Sequence, residues 1–553
     1  MRAPIRKRVS RASAASASVK KVRCRRVSPG AIVIVRDPPR PRAAVVLPTS
    51  SLRAHRGGIL GVSGVVSQRA SLGDAAARGA SVTLAGQLYR TVLQFVSIFV
   101  LARLLTPDDF GLIAMVAAVI GISELFRDFG LSSAAIQAKH VSIGERTNLF
   151  WVNTALGAGC AVIVALAAPL VGLLYSNDQV PAIVVVMSIG FVLSGMVTQY
   201  RADLTRRMRF LGLSVTEAVA PTVGFAVGIV LALQGFGYWA LVVQQLSSSL
   251  VLLVLSVAIA RWLPGLPQRR TSIRRFMRFG AALFATQLIS YGTKNVDNIA
   301  IGVVWGAGPL GYYDRAYQLL MAPLNQINAP MTRVALPVLS RIHEERERFA
   351  GYLLKAQIVG GYATATLFAL AAGMAPAIVD VLFGPQWAPM APIFAVLAIG
   401  GVLRATAQVS YWMFLATANT GAQLRMFLVV RPIMIVIILA GLPWGALGVA
   451  VGSTAAYALH WIASLIWASR VTGVPAKPLI SNILRILLTV SVPCGLLALG
   501  ISALGWASIA TVLVAVGASV VYLLLLTLVS RRTREDLLTV VSFIRRSLGK
   551  RSR

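Results

Sequence analysis

Long apolar segments alternate with short polar connections along most of this chain. From about residue 81 there are roughly fourteen such segments. Most of them are close in length to a membrane-spanning helix, which needs about 20 residues. The strands of an outer-membrane barrel would be shorter and would alternate apolar with polar residues. We therefore predict an all-α integral membrane protein with about fourteen spans, at residues 81–105, 110–131, 149–175, 182–199, 213–233, 239–260, 279–304, 310–338, 357–383, 392–416, 424–441, 447–468, 486–504 and 509–529. A count of thirteen or fifteen stays open if one segment is a re-entrant helix.

Lys and Arg occur in every second connection except 417–423, which Arg425 follows closely, and the intervening connections contain neither. Residues 261–278 form the most basic connection of the core, and 341–355 form another charged loop. The connections without Lys or Arg include 106–109, 176–179, 234–237, 384–387 and 442–445. Because cytoplasmic connections of membrane proteins carry excess Lys and Arg, we expect both termini in the cytoplasm of a plasma-membrane protein. The side with the other connections is called the non-basic side.

Composition supports a membrane protein and narrows its function. The chain is 57% hydrophobic and only 13% charged, whereas soluble domains carry about a quarter charged residues. The net charge of +35 is interpreted as a topology signal plus a basic tail, not as nucleic-acid binding. Cys24, Cys160 and Cys494 show no metal-ligand spacing, and no Walker A run occurs. We expect no cofactor, no metal site and no enzymatic activity, because the outer loops are too short to hold a catalytic domain.

The first 78 residues differ from the rest, since many Lys and Arg residues stand among Ala, Ser and Pro. Such a composition buries too little apolar surface to fold, so we expect a disordered cytoplasmic tail at residues 1–78. The alternative is an over-called gene start, with Val62, Val65 or Val66 as other starts.

An internal repeat divides the apolar region. Gln87-Leu88 matches Gln287-Leu288, and Phe110-Gly111 matches Leu310-Gly311, both at an offset of 200 residues. Each repeat would contain six helices, an even number, so the two would be parallel, as in transporters whose substrate path lies between the halves. This predicts lobes at residues 79–270 and 271–470, two appended helices at 471–530, and a basic, faintly amphipathic tail at 531–553.

Several charged residues fall within the apolar segments, where a charge costs at least about 2.5–3.5 kcal/mol. Arg90, Arg404 and Arg431 have no acidic neighbour in sequence, and Arg315 is a further candidate. Because guanidinium binds phosphate through two parallel hydrogen bonds, these four predict a cavity for an anionic ligand. A carboxylate from another helix is the competing explanation. The other charged or titratable candidates are Glu124, Arg127, Asp128, Glu217, Asp314, Asp380 and His460.

Lys294 and Asp297 are spaced i, i+3 and can therefore pair on one helix face. One interpretation is a self-neutralised pair that fixes packing. The other is a charge relay that responds to substrate or to an ion, which makes these two residues the candidates for coupling.

Two stretches resemble a known family. Ala85-Gly86-Gln87, followed by Leu101-Ala102-Arg103-Leu104-Leu105-Thr106-Pro107-Asp108-Asp109-Phe110-Gly111, resembles the opening of polysaccharide transporters, the Wzx-type flippases of the MOP superfamily. Asp128-Phe129-Gly130-Leu131, Asn295-Val296-Asp297-Asn298 and Gly311-Tyr312-Tyr313-Asp314-Arg315 fit the same family. The long basic N-terminal tail departs from it.

The resemblance implies a flippase that moves undecaprenyl-diphosphate-linked oligosaccharide units across the inner membrane for exopolysaccharide, capsule or O-antigen synthesis. It also implies two six-helix lobes around a cationic cavity, alternating access, and a polysaccharide polymerase and chain-length regulator as partners. A peptidoglycan-precursor flippase and a multidrug or cation antiporter of the same superfamily remain alternatives, although an antiporter predicts acidic cavity residues. A membrane polymerase or ligase would need a large outer loop, which the sequence lacks.

Overall fold

The computed structural model describes residues 85–128, 141–268, 271 and 295–549. The expected disorder of residues 1–78 lies outside this part of the chain, as do Lys294 and the repeat partners Gln287 and Leu288. For residues 119, 122–128 and 543–549 only the backbone is described, so the side chains of Glu124, Arg127 and Asp128 also lie outside it.

Helices account for all regular secondary structure in the described residues. They are α1 Ala85–Leu104, α2 Pro107–Asp128, α3 Ile143–Tyr175, α4 Gln179–Arg206, α5 Phe210–Leu233, α6 Tyr238–Ala260, α7 Val296–Trp305, α8 Ala307–Ile342, α9 Arg346–Gly373 with its continuation Ala375–Phe383, α10 Met390–Ala416, α11 Thr420–Ala440, α12 Gly445–Thr472, α13 Ala476–Ser502, α14 Ser508–Val529 and α15 Arg531–Gly549.

The expected multi-pass membrane protein is confirmed. Within the described residues, ten helical stretches are long and apolar enough to cross a membrane. One of them, Thr420–Thr472, is 53 residues long, and the 3-10 turn Leu442–Trp444 divides it into the hairpin α11–α12. The count of fourteen spans stays a prediction, because residues 129–140 and 272–294 are not described.

The charged stretch at residues 341–355, which we expected to form a loop, is mostly helical. Helix α8 extends to Ile342 and α9 begins at Arg346, so Lys355 lies inside α9. Helix α13 likewise begins at Ala476, ten residues before the expected start at Ile486. Apolar content reports burial in lipid, whereas Arg, Lys and Glu are good helix formers outside it. Hydropathy therefore predicts the lipid-facing part of a helix correctly. It predicts the whole helix too short, because it misses the ends that extend into water.

Neighbouring helices pack in two sets that meet at α2 and α8. Helices α3 and α4 form one close pair, α5 and α6 another, and α4 also packs on α6. In the second half α10 packs on α8 and α12, and α12 packs on α11. Helix α13 packs on α9, and α14 packs on α13 and on the last part of α9.

Two glycines allow α2 and α8 to cross at backbone contact. A Cβ atom at Gly111 would lie 1.8 Å from the carbonyl oxygen of Ala307, and one at Gly311 would lie 2.0 Å from that of Pro107. The contacts are reciprocal at the offset of 200, since residue 111 meets 307 and residue 311 meets 107. Only glycine fits at either place. The crossing lies near the first turns of both helices, on the non-basic side.

The C-terminal helix α15 is anchored to the second half. The Arg485 guanidinium lies 2.7 Å from the Asp536 carboxylate, and the Tyr362 hydroxyl donates to the same carboxylate at 3.1 Å. These contacts join α15 to α13 and α9, beside two π-helical turns, Gly361–Ala365 and Leu487–Ser491, that touch one another. The expected basic tail is therefore helical as far as Gly549, and its first turns pack against α13 and α9.

Candidate functional site

A polar cleft lies between α1 and α8, beside the crossing of α2 and α8. Its volume is about 240 Å³, room for several water molecules. Helix α1 contributes Thr91, Gln94 and three apolar residues, α8 contributes Arg315, Gln318, Asn325, Gln326 and three apolar residues, and α9 contributes Phe383. Among the described residues, Arg315 is the only ionised side chain in this lining. We call this space the central cleft.

Four carboxamides stand along the cleft, and two of them are free. The Gln326 amide donates to the Thr91 hydroxyl at 3.2 Å, which links the two walls. The Gln318 amide donates to the Asp314 carboxylate at 2.9 Å. Gln94 and Asn325 are exposed and hydrogen bond with no other described residue. The cleft therefore presents both donors and acceptors that a ligand can take up.

Arg315 lies at the non-basic end of the cleft and is neutralised there. Its guanidinium contacts the Asp314 carboxylate at 2.7 Å and lies 4.7 Å from the centre of the Phe110 ring. Its Nε is buried without a hydrogen-bond partner among the described residues. Asn298 also reaches Asp314, at 3.5 Å. Arg315 therefore has a carboxylate partner, but this partner is the adjacent residue of the same helix and not the carboxylate from another helix that the competing explanation expected.

The non-basic end of the cleft is closed by a second contact besides the glycine crossing. The amide of Gln386 donates to the carbonyl oxygens of Ala102 at 2.7 Å and Leu105 at 3.1 Å, and the Trp387 indole donates to Ala102 at 2.7 Å. These carbonyls belong to the last turn of α1 and the residue after it, where intrahelical partners are missing. The non-basic connection after α9 therefore caps α1 and holds the two halves together.

A second pocket lies inside the second half, among α10, α11 and α12. Arg404, Arg431, Tyr457 and His460 line it together with Gln423. Arg404 donates to the Tyr317 hydroxyl at 2.9 Å and lies 4.4 Å from the centre of the Tyr457 ring. Arg431 lies 4.9 Å from the centre of the Phe427 ring. We call this the second-half pocket; its cations are held by aromatic rings and a phenol.

Asp297 connects to this pocket through stacked tyrosines. The Tyr313 hydroxyl donates to the Asp297 carboxylate at 2.8 Å, and the Asn298 backbone N–H donates to it at 3.0 Å. The Tyr313 and Tyr317 rings are stacked 6.3 Å apart, and Tyr317 accepts from Arg404. A buried carboxylate and a partly buried guanidinium are thus joined by two phenols, while the expected pairing with Lys294 lies outside the described residues.

The structure does not bring the four predicted arginines into one cavity. Arg315 lines the central cleft, and Arg404 and Arg431 line the second-half pocket. Arg90 is exposed on α1, one residue before Thr91, and forms no ion pair with the described residues. Glu217 pairs with Arg201 of the neighbouring helix, and Asp380 accepts from Ser508 at 2.6 Å. Position in sequence gives the height of a side chain along its helix, but it does not show which neighbouring helix that side chain meets.

Sequence reasoning concentrated on charges and missed the carboxamides. Gln318, Asn325 and Gln326 are spaced i, i+7 and i+8, so they share one face of α8. This spacing is visible in the sequence and identifies a polar face of α8.

Residues 100–392, which are more than half of the chain, match the family model described as Polysaccharide biosynthesis protein. The chain belongs to this family. The family expected from the motifs is therefore confirmed, and the matched residues include α1 from Val100, all of α8 and the loop that caps α1.

Similar proteins agree with this assignment. The chain is 27% identical over 368 residues to the lipopolysaccharide biosynthesis protein WzxC of Escherichia coli (strain K12). The matched region covers 65% of this chain and 74% of that protein. It is 27% identical over 345 residues to the succinoglycan biosynthesis transport protein ExoT of Rhizobium meliloti (strain 1021), covering 62% and 69%.

Among solved structures, the lipid II flippase MurJ in its inward closed conformation superposes with a TM-score of 0.61. The match covers 80% of this chain and 97% of MurJ at 13% sequence identity. At this identity the likeness establishes the fold alone.

Proposed function

We propose that this protein is a flippase that moves undecaprenyl-diphosphate-linked oligosaccharide units from the inner to the outer leaflet of the bacterial inner membrane. The observation that carries the proposal is the central cleft, a polar space between the halves of a polysaccharide biosynthesis family member, closed on the non-basic side. The names of WzxC and ExoT support a role in polysaccharide synthesis.

The proposed topology has fourteen spans, two six-helix lobes, two appended helices and both termini in the cytoplasm. Its support is the Lys and Arg asymmetry, which makes the non-basic side extracytoplasmic. With that orientation the glycine crossing and the cap on α1 close the outer end of the cleft. The structure then corresponds to the state that receives substrate from the cytoplasmic leaflet, and rocking of the lobes would transfer it.

Within this proposal Arg90 binds the diphosphate. It lies one residue to the cytoplasmic side of Thr91, whose hydroxyl marks the inner end of the cleft through Gln326. It is exposed and lacks an ion pair with the described residues, so its charge is available to an anion. Arg315 lies at the far end and orients the lining through Asp314. Arg404 and Arg431 supply positive charge from the second-half pocket.

Asp297 is the proposed coupling residue, together with Lys294. Its carboxylate is buried on α7 and is linked through Tyr313 and Tyr317 to Arg404 on α10. A change in the charge of Asp297 would therefore act on three helices of the second half. A polysaccharide polymerase and a chain-length regulator are the proposed protein partners.

Complementation tests the proposed function. The chain is expressed in a strain lacking its polysaccharide flippase and, separately, in one depleted of its peptidoglycan-precursor flippase. We expect restored surface polysaccharide in the first strain and no rescue of growth in the second. Arg90→Ala should abolish the restored signal at equal expression, whereas Arg532→Ala, an exposed arginine on α15, should not. Rescue of the second strain alone would assign the peptidoglycan precursor instead, and unchanged output from Arg90→Ala would refute its role.

A further inference from the structure

The geometry points to a glycan-recognition subsite in the central cleft, formed by the carboxamides of Gln94, Asn325 and Gln318 and separate from the cations that bind the diphosphate. The ligand class is the uncharged, hydroxyl-rich sugar part of a lipid-linked oligosaccharide. This inference rests on the proposed function and deepens it by dividing the substrate between two parts of the cleft.

The chemistry of the lining favours sugars over a second anion. A carboxamide carries two N–H donors and a carbonyl acceptor, and a sugar hydroxyl both donates and accepts, so the two are complementary. The charge of Arg315 is already met by Asp314 at 2.7 Å. A diphosphate deep in the cleft would be repelled by that carboxylate, whereas an uncharged glycan would not.

The carboxamides differ in the number of hydrogen bonds that they already form within the protein. Those with the fewest such bonds are the recognition groups. Gln326 is used in bonding Thr91 across the cleft. Gln318 donates one N–H to the Asp314 carboxylate, and its carbonyl oxygen accepts no hydrogen bond from the described residues. Gln94 and Asn325 form no hydrogen bond with the described residues and face each other's helix in the lining. A ligand can therefore bind Gln94 and Asn325 without breaking an existing contact.

Aromatic rings form an apolar wall in the same cleft. Phe95 and Phe99 lie 5.8 Å apart in a stacked arrangement, and Phe99 meets Phe383 edge-on at 5.5 Å. A sugar ring has apolar faces of C–H groups and a polar rim of hydroxyls. Such a wall beside carboxamides is the combination that small-molecule sites use, with apolar area for binding and few polar groups for orientation.

The arrangement of these groups suits a substrate that enters sugar first. From Gln326 to Arg315 is eleven residues of helix α8, about 16 Å at 1.5 Å per residue. That length exceeds one sugar ring. With Arg90 at the cytoplasmic end, a diphosphate held there would leave its glycan to extend past Asn325 toward Gln318.

Binding measurements on the purified full chain in nanodiscs test the subsite. The probes are the undecaprenyl-diphosphate-linked glycans extracted from the native strain and sugar-free undecaprenyl diphosphate. The variant combines Gln94→Met and Asn325→Leu, which keep side-chain size and remove the amides. We expect its affinity for the glycan-bearing lipid to fall at least about tenfold, while that for the sugar-free lipid stays within about twofold.

The matched control is Gln234→Met, an exposed glutamine in a non-basic turn outside the cleft, which should leave both affinities unchanged. A thermal unfolding curve like that of the wild type shows that the double variant is folded. Equal losses for both lipids, or no loss for either, would overturn the subsite and leave the proposed function standing. Failure of the wild-type protein to bind the glycan-bearing lipid would instead refute the proposed function and this inference with it.

Discussion

The central cleft and the second-half pocket are both polar spaces within one membrane protein, yet they are built in opposite ways. The polar part of the cleft lining consists mainly of neutral carboxamides, and Gln94 and Asn325 bond with no described residue. The pocket holds two guanidinium groups, and its Arg404 is occupied by Tyr317 and Tyr457. In the pocket the guanidinium of Arg404 already has partners, whereas in the cleft the neutral amides of Gln94 and Asn325 are available to a ligand.

The difference shows why buried charge alone is a poor guide to a ligand site. A charge in the membrane needs a partner, so most charges are found where the protein supplies one. Carboxamides cost less to bury and can stay free to meet a ligand. We therefore expect the cleft to serve recognition and the pocket to serve stability or coupling, and the variants below test this in decreasing order of expected effect.

The largest effect should come from opening the closed end of the cleft while the pocket is left intact. Gly111→Val places side-chain atoms against the Ala307 backbone, so α2 and α8 must separate. We expect surface polysaccharide at background level and a lower melting temperature. Gly159→Val is the control, because a Cβ at Gly159 meets nothing within 4 Å. Wild-type activity of Gly111→Val would show that close crossing is not required.

Arg404→Met in the pocket should lower the free energy of unfolding more than a substitution in the cleft does. The variant loses a hydrogen bond to Tyr317 and the stacking on Tyr457, with an expected cost of about 2 kcal/mol in the free energy of unfolding. Asn325→Leu in the cleft should change it by less than about 0.5 kcal/mol. Reversible unfolding in detergent measures both, with the exposed Arg532→Met as a control. Equal stability changes would remove the distinction between the regions.

Asp297→Asn tests whether the pocket side couples transport to an ion. The asparagine oxygen can still accept from the Tyr313 hydroxyl, so the network is kept and only the charge is lost. In proteoliposomes we expect glycolipid translocation to lose its response to an imposed ion gradient, while binding of the glycolipid is retained. An unchanged response to the gradient would exclude Asp297 as the coupling residue.

The smallest effect is expected for the link between the cleft walls. Gln326→Leu removes the hydrogen bond to Thr91 at 3.2 Å, worth about 1 kcal/mol, and leaves the free carboxamides in place. Transport should fall by no more than about fivefold, with no change in preference between glycan-bearing and sugar-free lipid. A change in that preference would place Gln326 among the recognition groups.

The membrane helices and the family could be predicted from the sequence, because they depend on the local apolar pattern and on motifs such as Thr106-Pro107-Asp108-Asp109. The internal repeat at the offset of 200 stays a prediction, although its pair Gly111 and Gly311 makes reciprocal contacts. The ends of α8 and α9 were predicted too short, since hydropathy does not report helix outside lipid.

The candidate site was harder to predict, because it depends on which face of each helix turns toward which neighbour. Arg315 lines the central cleft, whereas Arg404 lines the second-half pocket. No spacing in the sequence shows that these two arginines lie in different spaces. The stripe of Gln318, Asn325 and Gln326 was detectable by its spacing on α8. Its partner Gln94 on α1 was not, since nothing local relates two helices more than two hundred residues apart.

The reciprocity of the glycine crossing has a consequence for the ancestry of the chain. If each half descends from one shorter protein, residues 111 and 311 were once the same position, and its contact with residue 107 lay across a two-fold axis between two copies. In such a dimer any substitution struck both sides of the contact at once. After fusion each side can vary alone, so the second half can carry a charged pocket that a symmetric dimer would have carried twice.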